Sequence, residues 1–269
     1  MPPTRGFFMA RKRFGQHFLH EQGVIERILS MLAPKAADAL VEIGPGQGAL
    51  TQPLLDRVDR LSVIEIDRDL AADLRAQAVE EPRLEVIEGD ALRIDYAEIA
   101  TRRGAPLRLV GNLPYNISSP LLFALLGSAA PITDMHFMLQ KEVVDRMTAT
   151  PGSRDYGRLT VSVAARARAE SLFDVGPGAF TPPPRVMSSV VRVTPRAPDF
   201  EIHDGKMFDR LVTAAFSQRR KTLRNAVRSF LSAEAIEACD IDPTLRPERL
   251  AAAEFARLAN AASAAVDTD

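Results

Sequence analysis

The chain has 269 residues, 46% of them hydrophobic and 26% charged, with 34 Lys and Arg against 35 Asp and Glu for a net charge of −1. That length suits one large α/β domain, alone or with a small appendage, and no apolar run approaches the ~20 residues that a membrane span needs. The lone Cys239 excludes an intrachain disulfide and a cysteine-rich metal site, which fits a reducing cytoplasm; no apolar segment follows the basic residues Arg5 to Arg13, so no secretory signal is read.

In chain order, Ala39 to Ile43 reads as a strand, followed by a Gly-rich turn and a helix near Ala49 to Arg57. Leu61 to Ile66 is a second strand and Arg68 to Val79 an amphipathic helix. Leu84 to Ile87 and Leu107 to Val110 are two further short buried strands, and a helix near Pro120 to Leu126 leads to the apolar run Met135 to Leu139. Such β-α-β-α alternation predicts a doubly wound, mostly parallel sheet. After Pro151, Arg158 to Arg168 is predicted helical and Val186 to Val193 alternates like a strand, with the fixed loop Thr181-Pro182-Pro183-Pro184 between them. Beyond Pro195 and Pro198 everything reads as helix: Lys206 to Phe216, Lys221 to Phe230, Ala233 to Cys239 and Pro247 to Asn260. The expected division is a domain of residues 1–198 and an all-helical one of 199–269, with a frayed tail after Ala261.

Val41-Glu42-Ile43-Gly44-Pro45-Gly46-Gln47-Gly48 lies at the first turn of the sheet, where glycines let a backbone approach a nucleotide closely. Glu65 ends the next strand, where an acid can accept from ribose hydroxyls. Gly44, Gly46 and Ala49 also satisfy the dinucleotide pattern G-x-G-x-x-A, so the glycines leave a nicotinamide cofactor open. Asp90, after the third strand, can accept from the adenine amine of a bound cofactor, although alone such a residue is more often a helix cap.

Asn112-Leu113-Pro114-Tyr115 follows the fourth strand, at the edge where such sheets hold ligands. These residue types suit methylation of an adenine amine, whose lone pair is delocalised into the ring and is a poor nucleophile. An acceptor on Asn112 and a backbone carbonyl of the loop can bond both N–H groups and localise that lone pair. Pro114 stiffens the loop and brings no N–H of its own. Tyr115 offers a face for base stacking, worth ~1–3 kcal/mol. Charge is distributed unevenly: Arg5, Arg11, Lys12 and Arg13 precede the first acid, and Arg219, Arg220, Lys221, Arg224 and Arg228 fall within one short stretch. On a helix Arg220, Arg224 and Arg228 would form one stripe, flanked by Arg219 and Lys221, suited to RNA phosphates. His17 and His20, without carboxylate or thiol partners, make a poor metal pair, and no metal site is read.

Taken together these motifs, with Arg13 to Leu19 (RFGQHFL), Gly178 to Val186 (GAFTPPPRV) and Arg219 to Asn225 (RRKTLRN), make the chain resemble the ribosomal RNA adenine N6,N6-dimethyltransferases of the bacterial small-subunit type over nearly its whole length. The resemblance implies a Rossmann-like class I methyltransferase domain with a small helical C-terminal domain. It implies S-adenosylmethionine as cofactor, held by His17, Leu19, Gly44, Gly46, Glu65, Asp90 and Asn112. Catalysis would fall to Asn112, Leu113, Pro114 and Tyr115, with Phe180 as the second wall of the base pocket. Many members carry Asn where this chain has His17. The implied substrate is a pair of adjacent adenosines near the 3′ end of small-subunit RNA within a partly assembled particle, met by a cytoplasmic monomer with no membrane partner. Three alternatives stand beside this reading: the large-subunit enzyme of macrolide resistance, a non-catalytic RNA-binding or transcription factor on the same fold, and a nicotinamide oxidoreductase. An intact Asn112-Leu113-Pro114-Tyr115 argues against loss of catalysis, and the Arg219 to Asn225 segment favours the small-subunit type.

Overall fold

The structure, a computed structural model, describes residues 16–218 and 220–266. The chain forms two compact units, Met1–Val144 with Glu170–Thr194, and Asp145–Ala169 with Pro195–Asp269.

The first unit opens with the short strand β1 (Phe18–Leu19) and helix α1 (Gln22–Leu32). Ile25, Ile28, Leu29 and Leu32 of α1 recur at helical spacing and are buried, so the helix lies along the core by one apolar stripe. Then β2 (Ala39–Ile43), α2 (Thr51–Leu55), β3 (Leu61–Glu65), α3 (Arg68–Glu80), β4 (Leu84–Glu88), α4 (Tyr96–Arg103), β5 (Leu107–Asn112), α5 (Ser118–Leu126) and β6 (Ile132–Gln140) alternate as the sequence predicts. Asp67 caps α3 by accepting from Asp69 N–H, and Asp95 caps α4 by accepting from Ala97 and Glu98 N–H, which satisfies donors that a helix start leaves without partners. Strands β2 and β3 are buried at every position, the pattern of interior parallel strands covered on both faces.

After β6 come α6 (Lys141–Met147), α7 (Arg158–Ala164), β7 (Ala167–Val175), β8 (Phe180–Thr181) and β9 (Ser188–Pro195). The seven-stranded sheet has the order β4-β3-β2-β5-β6-β9-β7, with β4 to β6 parallel and β9 antiparallel to β6. The strand order reverses direction between β2 and β5, and the crevice beyond their carboxyl ends is where such sheets bind ligands. A separate two-stranded ladder pairs Phe18 with Thr181 and Leu19 with Phe180. At the opposite edge of the sheet Arg108 donates to Asp38 (2.6 Å), to Asp134 (2.9 Å) and to the carbonyl of Leu32 (2.6 Å), tying α1 to the sheet.

Two expectations are corrected here. The predicted helix over Arg158 to Arg168 stops at Ala164, and the chain enters β7 at Ala167. Ala167, Phe173 and Val175 are buried while Arg168, Ser171 and Asp174 are exposed, so pairing in the sheet overrides the helical preference of an Ala- and Glu-containing segment. The boundary falls at Pro195 instead of 198, and the second unit includes Asp145–Ala169. Tyr156, Val161 and Ala165 share the buried core of Phe208, Leu211 and Phe255, and the Tyr156 hydroxyl donates to the Leu250 carbonyl at 2.6 Å.

The second unit otherwise consists of α8 (Gly205–Ser217), α9 (Leu223–Ala226), α10 (Ala233–Glu237) and α11 (Ala252–Val266). Among the described residues no helix is long and apolar enough to cross a membrane, and no three His, Cys, Asp or Glu side chains converge as metal ligands.

Candidate active site

The turn after β2 carries Gly44, Gly46 and Gly48 at φ of 68°, 56° and 82°, a left-handed run that side chains disfavour. Gly44 N–H still bonds to the Ile64 carbonyl (2.9 Å), so the loop begins as a continuation of the ladder between β2 and β3. Phe18 lies over it; a Cβ on Gly46 would come 3.1 Å from the Phe18 ring. Glu65, at the end of β3, is 4% exposed and accepts from Gly46 N–H (3.2 Å) and Asp67 N–H (2.9 Å). Burial raises its pKa, against the lowering effect of those backbone donors.

Glu42, the first acid of the loop motif, is buried and accepts from Thr51 Oγ1 at 2.7 Å. Burial pushes its pKa up from 4.5 to about 7, with the Thr51 bond lowering it and the charge of Glu65 raising it. The folded protein therefore holds this proton more tightly than the unfolded chain. The associated stability is present below the ordinary carboxylate value and is lost as pH rises through about 7. Glu42→Gln keeps an acceptor for Thr51 and removes the titration. Urea melts of the two proteins should diverge from pH 5 to pH 8, with the variant ahead by up to about 3 kcal/mol at the upper end. Parallel stability curves over that range would show that Glu42 does not titrate there.

Next to Glu65 and Asp90, two apolar residues stand open: Ile66 is 47% exposed and Leu92 38%, and both line a cavity of about 340 Å³. Asp90 Oδ1 accepts from Leu92 N–H (3.0 Å), and its other oxygen lies 3.8 Å from Arg93. Neither Ile66 nor Leu92 is marked as a site residue by motif spacing. Their signal was an apolar residue directly beyond an acid at the ligand-binding edge, where only a ligand would cover it.

Across the crevice β5 ends at Asn112, whose Nδ2 donates to the backbone carbonyl of His17 at 2.8 Å. Only the amide nitrogen can donate to a carbonyl, so the side chain's orientation is settled, and no described residue donates to Oδ1. Leu113 is buried, with its N–H on the Met138 carbonyl (3.2 Å), and the Pro114 carbonyl accepts from Ile117 N–H (3.1 Å). Tyr115 is half-buried; its hydroxyl bonds Ser188 Oγ at 2.9 Å and its ring lies 5.7 Å from the His17 ring. His17 Nδ1 donates to the Pro182 carbonyl (2.8 Å), which places a proton on Nδ1.

His17, Leu19, Gly44, Gly46, Glu65, Asp90, Asn112, Leu113, Pro114 and Tyr115 thus line one cavity. Phe180 does not. It is 3% exposed, pairs with Leu19 in the small ladder and belongs to the same buried core as Val175 and Ala179.

The basic segment also departs from expectation. Arg219 lies outside the described residues, as do Arg5, Arg11, Lys12 and Arg13. Arg220, Lys221, Arg224 and Arg228 are exposed, but α9 spans only Leu223–Ala226, so Arg220 and Arg228 stand on turns at either side and form no helical stripe. Leu223, Val227 and Leu231 are all buried, and the N–H groups of Leu223 and Arg224 bond the carbonyls of Leu245 and Pro243. Those two N–H groups stand at the start of α9, where a helix leaves donors without intrahelical partners.

Residues 7–264 match the family model described as ribosomal RNA adenine dimethylase. A small-subunit ribosomal RNA methyltransferase A of Pseudomonas aeruginosa is 56% identical over 252 residues, covering 93% of this chain and 94% of the relative. One of Bordetella pertussis is 53% identical over 257 residues, covering 95% of each. Among solved structures, a dimethyladenosine transferase from Plasmodium falciparum superposes with TM-score 0.76 at 26% identity, covering 90% of this chain and 96% of the other. The 23S rRNA methyltransferase ErmE does so with TM-score 0.71 at 25% identity, covering 91% and 99%.

Proposed function

The chain belongs to the ribosomal RNA adenine dimethylase family, and from that premise we propose how its residues carry the reaction. It is an S-adenosylmethionine-dependent RNA (adenine-N6,N6)-dimethyltransferase acting on small-subunit ribosomal RNA. Its targets are two adjacent adenosines near the 3′ end of that RNA, met in a partly assembled subunit by a cytoplasmic monomer. Small-subunit relatives at more than half identity support this choice over the large-subunit enzyme.

The cavity fits the cofactor by its donor set. Glu65 offers a buried carboxylate for ribose hydroxyls, Asp90 an acceptor for the adenine amine, and Ile66 and Leu92 two apolar surfaces for the ring. His17, Leu19, Gly44 and Gly46 line the remainder. When bound, the cofactor supplies a methyl group on a cationic sulfur, already activated for displacement.

The observation that carries the mechanism is the Asn112–His17 hydrogen bond. With Nδ2 committed to a carbonyl, Oδ1 is the end of the amide left to accept from the target amine. One N–H of the adenine amine donates to Oδ1 and the other to a backbone carbonyl of the Asn112–Tyr115 loop, which localises the lone pair for attack. Tyr115 holds the base by stacking. The methylated nitrogen is acidic and gives up its proton readily, so a dedicated strong base is not required. Phe180 contributes from behind, keeping β8 packed against β1.

Labelled cofactor, undermethylated small subunits and nucleoside analysis test this reading. N6,N6-Dimethyladenosine at completion is expected; monomethyladenosine alone, or no transfer, would overturn it.

RNA phosphates are held by Arg219, Arg220, Lys221, Arg224 and Arg228; of these Arg224 lies in α9 and Arg220, Lys221 and Arg228 lie outside it. Arg220→Glu with Arg224→Glu should weaken RNA binding and reduce the slope of log K against log salt by about one unit for each lost contact, with cofactor affinity unchanged. An unaltered salt slope with a lowered Tm would assign the cluster to folding instead.

A further inference from the structure

We propose that Ser188 is a positioning residue for methyl transfer, fixing the Tyr115 ring at the attitude in which it receives the target base. The inference rests on the assignment of Tyr115 to base stacking.

Topology explains why a residue so far along the chain reaches the site. Strands β4 to β6 are parallel and all end at the ligand-binding edge, whereas β9 is antiparallel to β6 and therefore begins there, with Ser188 opposite Gln140. The Lys141 N–H bonds the Met187 carbonyl at 2.9 Å and fixes the backbone immediately before Ser188. Ser188 is 1% exposed, so its hydroxyl has no water to turn to and its bond to the Tyr115 hydroxyl at 2.9 Å is a fixed point.

Tyr115 itself follows Pro114 in a turn and belongs to no strand. Its carbonyl accepts from Ser118 Oγ at 3.1 Å, which holds the backbone end of the residue. Two side-chain torsions would still let the ring swing through the cavity, and the Ser188 bond pins its far end. Stacking depends on the ring being parallel to the base before the base arrives, so a ring already held pays less ordering entropy than a free one.

A four-corner comparison of the parent, Ser188→Ala, Tyr115→Phe and the double variant tests this, with kcat, KM for RNA and calorimetric cofactor affinity measured for each. Tyr115→Phe cuts the same bond without touching the strand, so the design does not depend on Ser188→Ala folding well. Each single change should lower kcat about five- to tenfold, the equivalent of one hydrogen bond, and the double variant should be no slower than the worse single one. Ser188→Thr, which keeps the hydroxyl, should restore most of the rate, and cofactor affinity should be unchanged throughout. Multiplying losses in the double variant, full activity in Ser188→Ala, or no rescue by Thr would each overturn the proposal. A failure of the underlying assignment looks different, because Tyr115→Ala, which removes the ring, would then be no slower than Tyr115→Phe.

Discussion

Asn112→Ala is expected to lower the turnover of methyl transfer about 10²–10³-fold, the loss typical of removing a preorganised hydrogen-bonding group from a reacting centre. Cofactor affinity should shift only a few-fold, because Glu65, Asp90 and the glycine loop do not depend on that side chain. The bond to the His17 carbonyl makes a finer comparison possible. Asn112→Asp retains an acceptor but loses the amide donor and sets a carboxylate against a carbonyl, so it should fall between the parent and Ala. Single-turnover rates at saturating cofactor separate these outcomes from product release. A variant lacking the side chain that turned over within tenfold of the parent would remove Asn112 from the chemistry.

Gly111→Ala should be the most disruptive single-methyl change in the first unit. A Cβ at this position would lie 2.3 Å from the carbonyl oxygen of Ile43 and 3.3 Å from Leu113 Cδ2. The obstacle is backbone on the neighbouring strand, which no side-chain rotation can clear. Strands β2 and β5 would have to separate at the edge where the glycine loop and Asn112 sit. Overpacking of this kind costs about 1–3 kcal/mol and occasionally more, and the upper end is expected here because rigid ladder bonds must break. Thermal melts should show a fall of roughly 10 °C, taking about 2–4 °C per kcal/mol for a protein of this size. Both cofactor binding and transfer should fail together, unlike the selective loss in Asn112→Ala. A variant with parental Tm and cofactor affinity would show that the two strands can part freely.

Much of the site was legible in the sequence because its requirements are local. A left-handed turn needs glycine, a ribose needs an acid at a strand end, and an amine to be methylated needs acceptors on a stiff loop. Gly44, Gly46, Glu65, Asp90 and Asn112 to Tyr115 stand at such positions and line one cavity, and β-α alternation predicts the sheet that aligns them. Ile66 and Leu92 went unread because exposure of an apolar side chain is a property of the folded surface.

What only the tertiary structure decided involves partners distant in sequence. The end of the helix expected over Arg158 to Arg168 instead enters a strand, Ala167–Val175, because a sheet position is open to it. Phe180 has the residue type of a base-pocket wall but is buried in the core, on a strand paired with that of Leu19, some 160 residues earlier. The basic segment keeps its charge, while its helix spans one turn, Leu223–Ala226, and leaves Arg220 and Arg228 outside it. Segment Asp145–Ala169 joins the helical unit because Tyr156 and Val161 bury against residues that come much later. Sequence by itself pointed to methyl transfer onto an adenine amine and to the β-α alternation from Ala39 to Leu139, since both follow from residue type and short spacing. Packing decided domain membership, helix length and the far-end anchors of His17 and Tyr115, since burial and pairing free energies depend on neighbours that only the folded chain brings together.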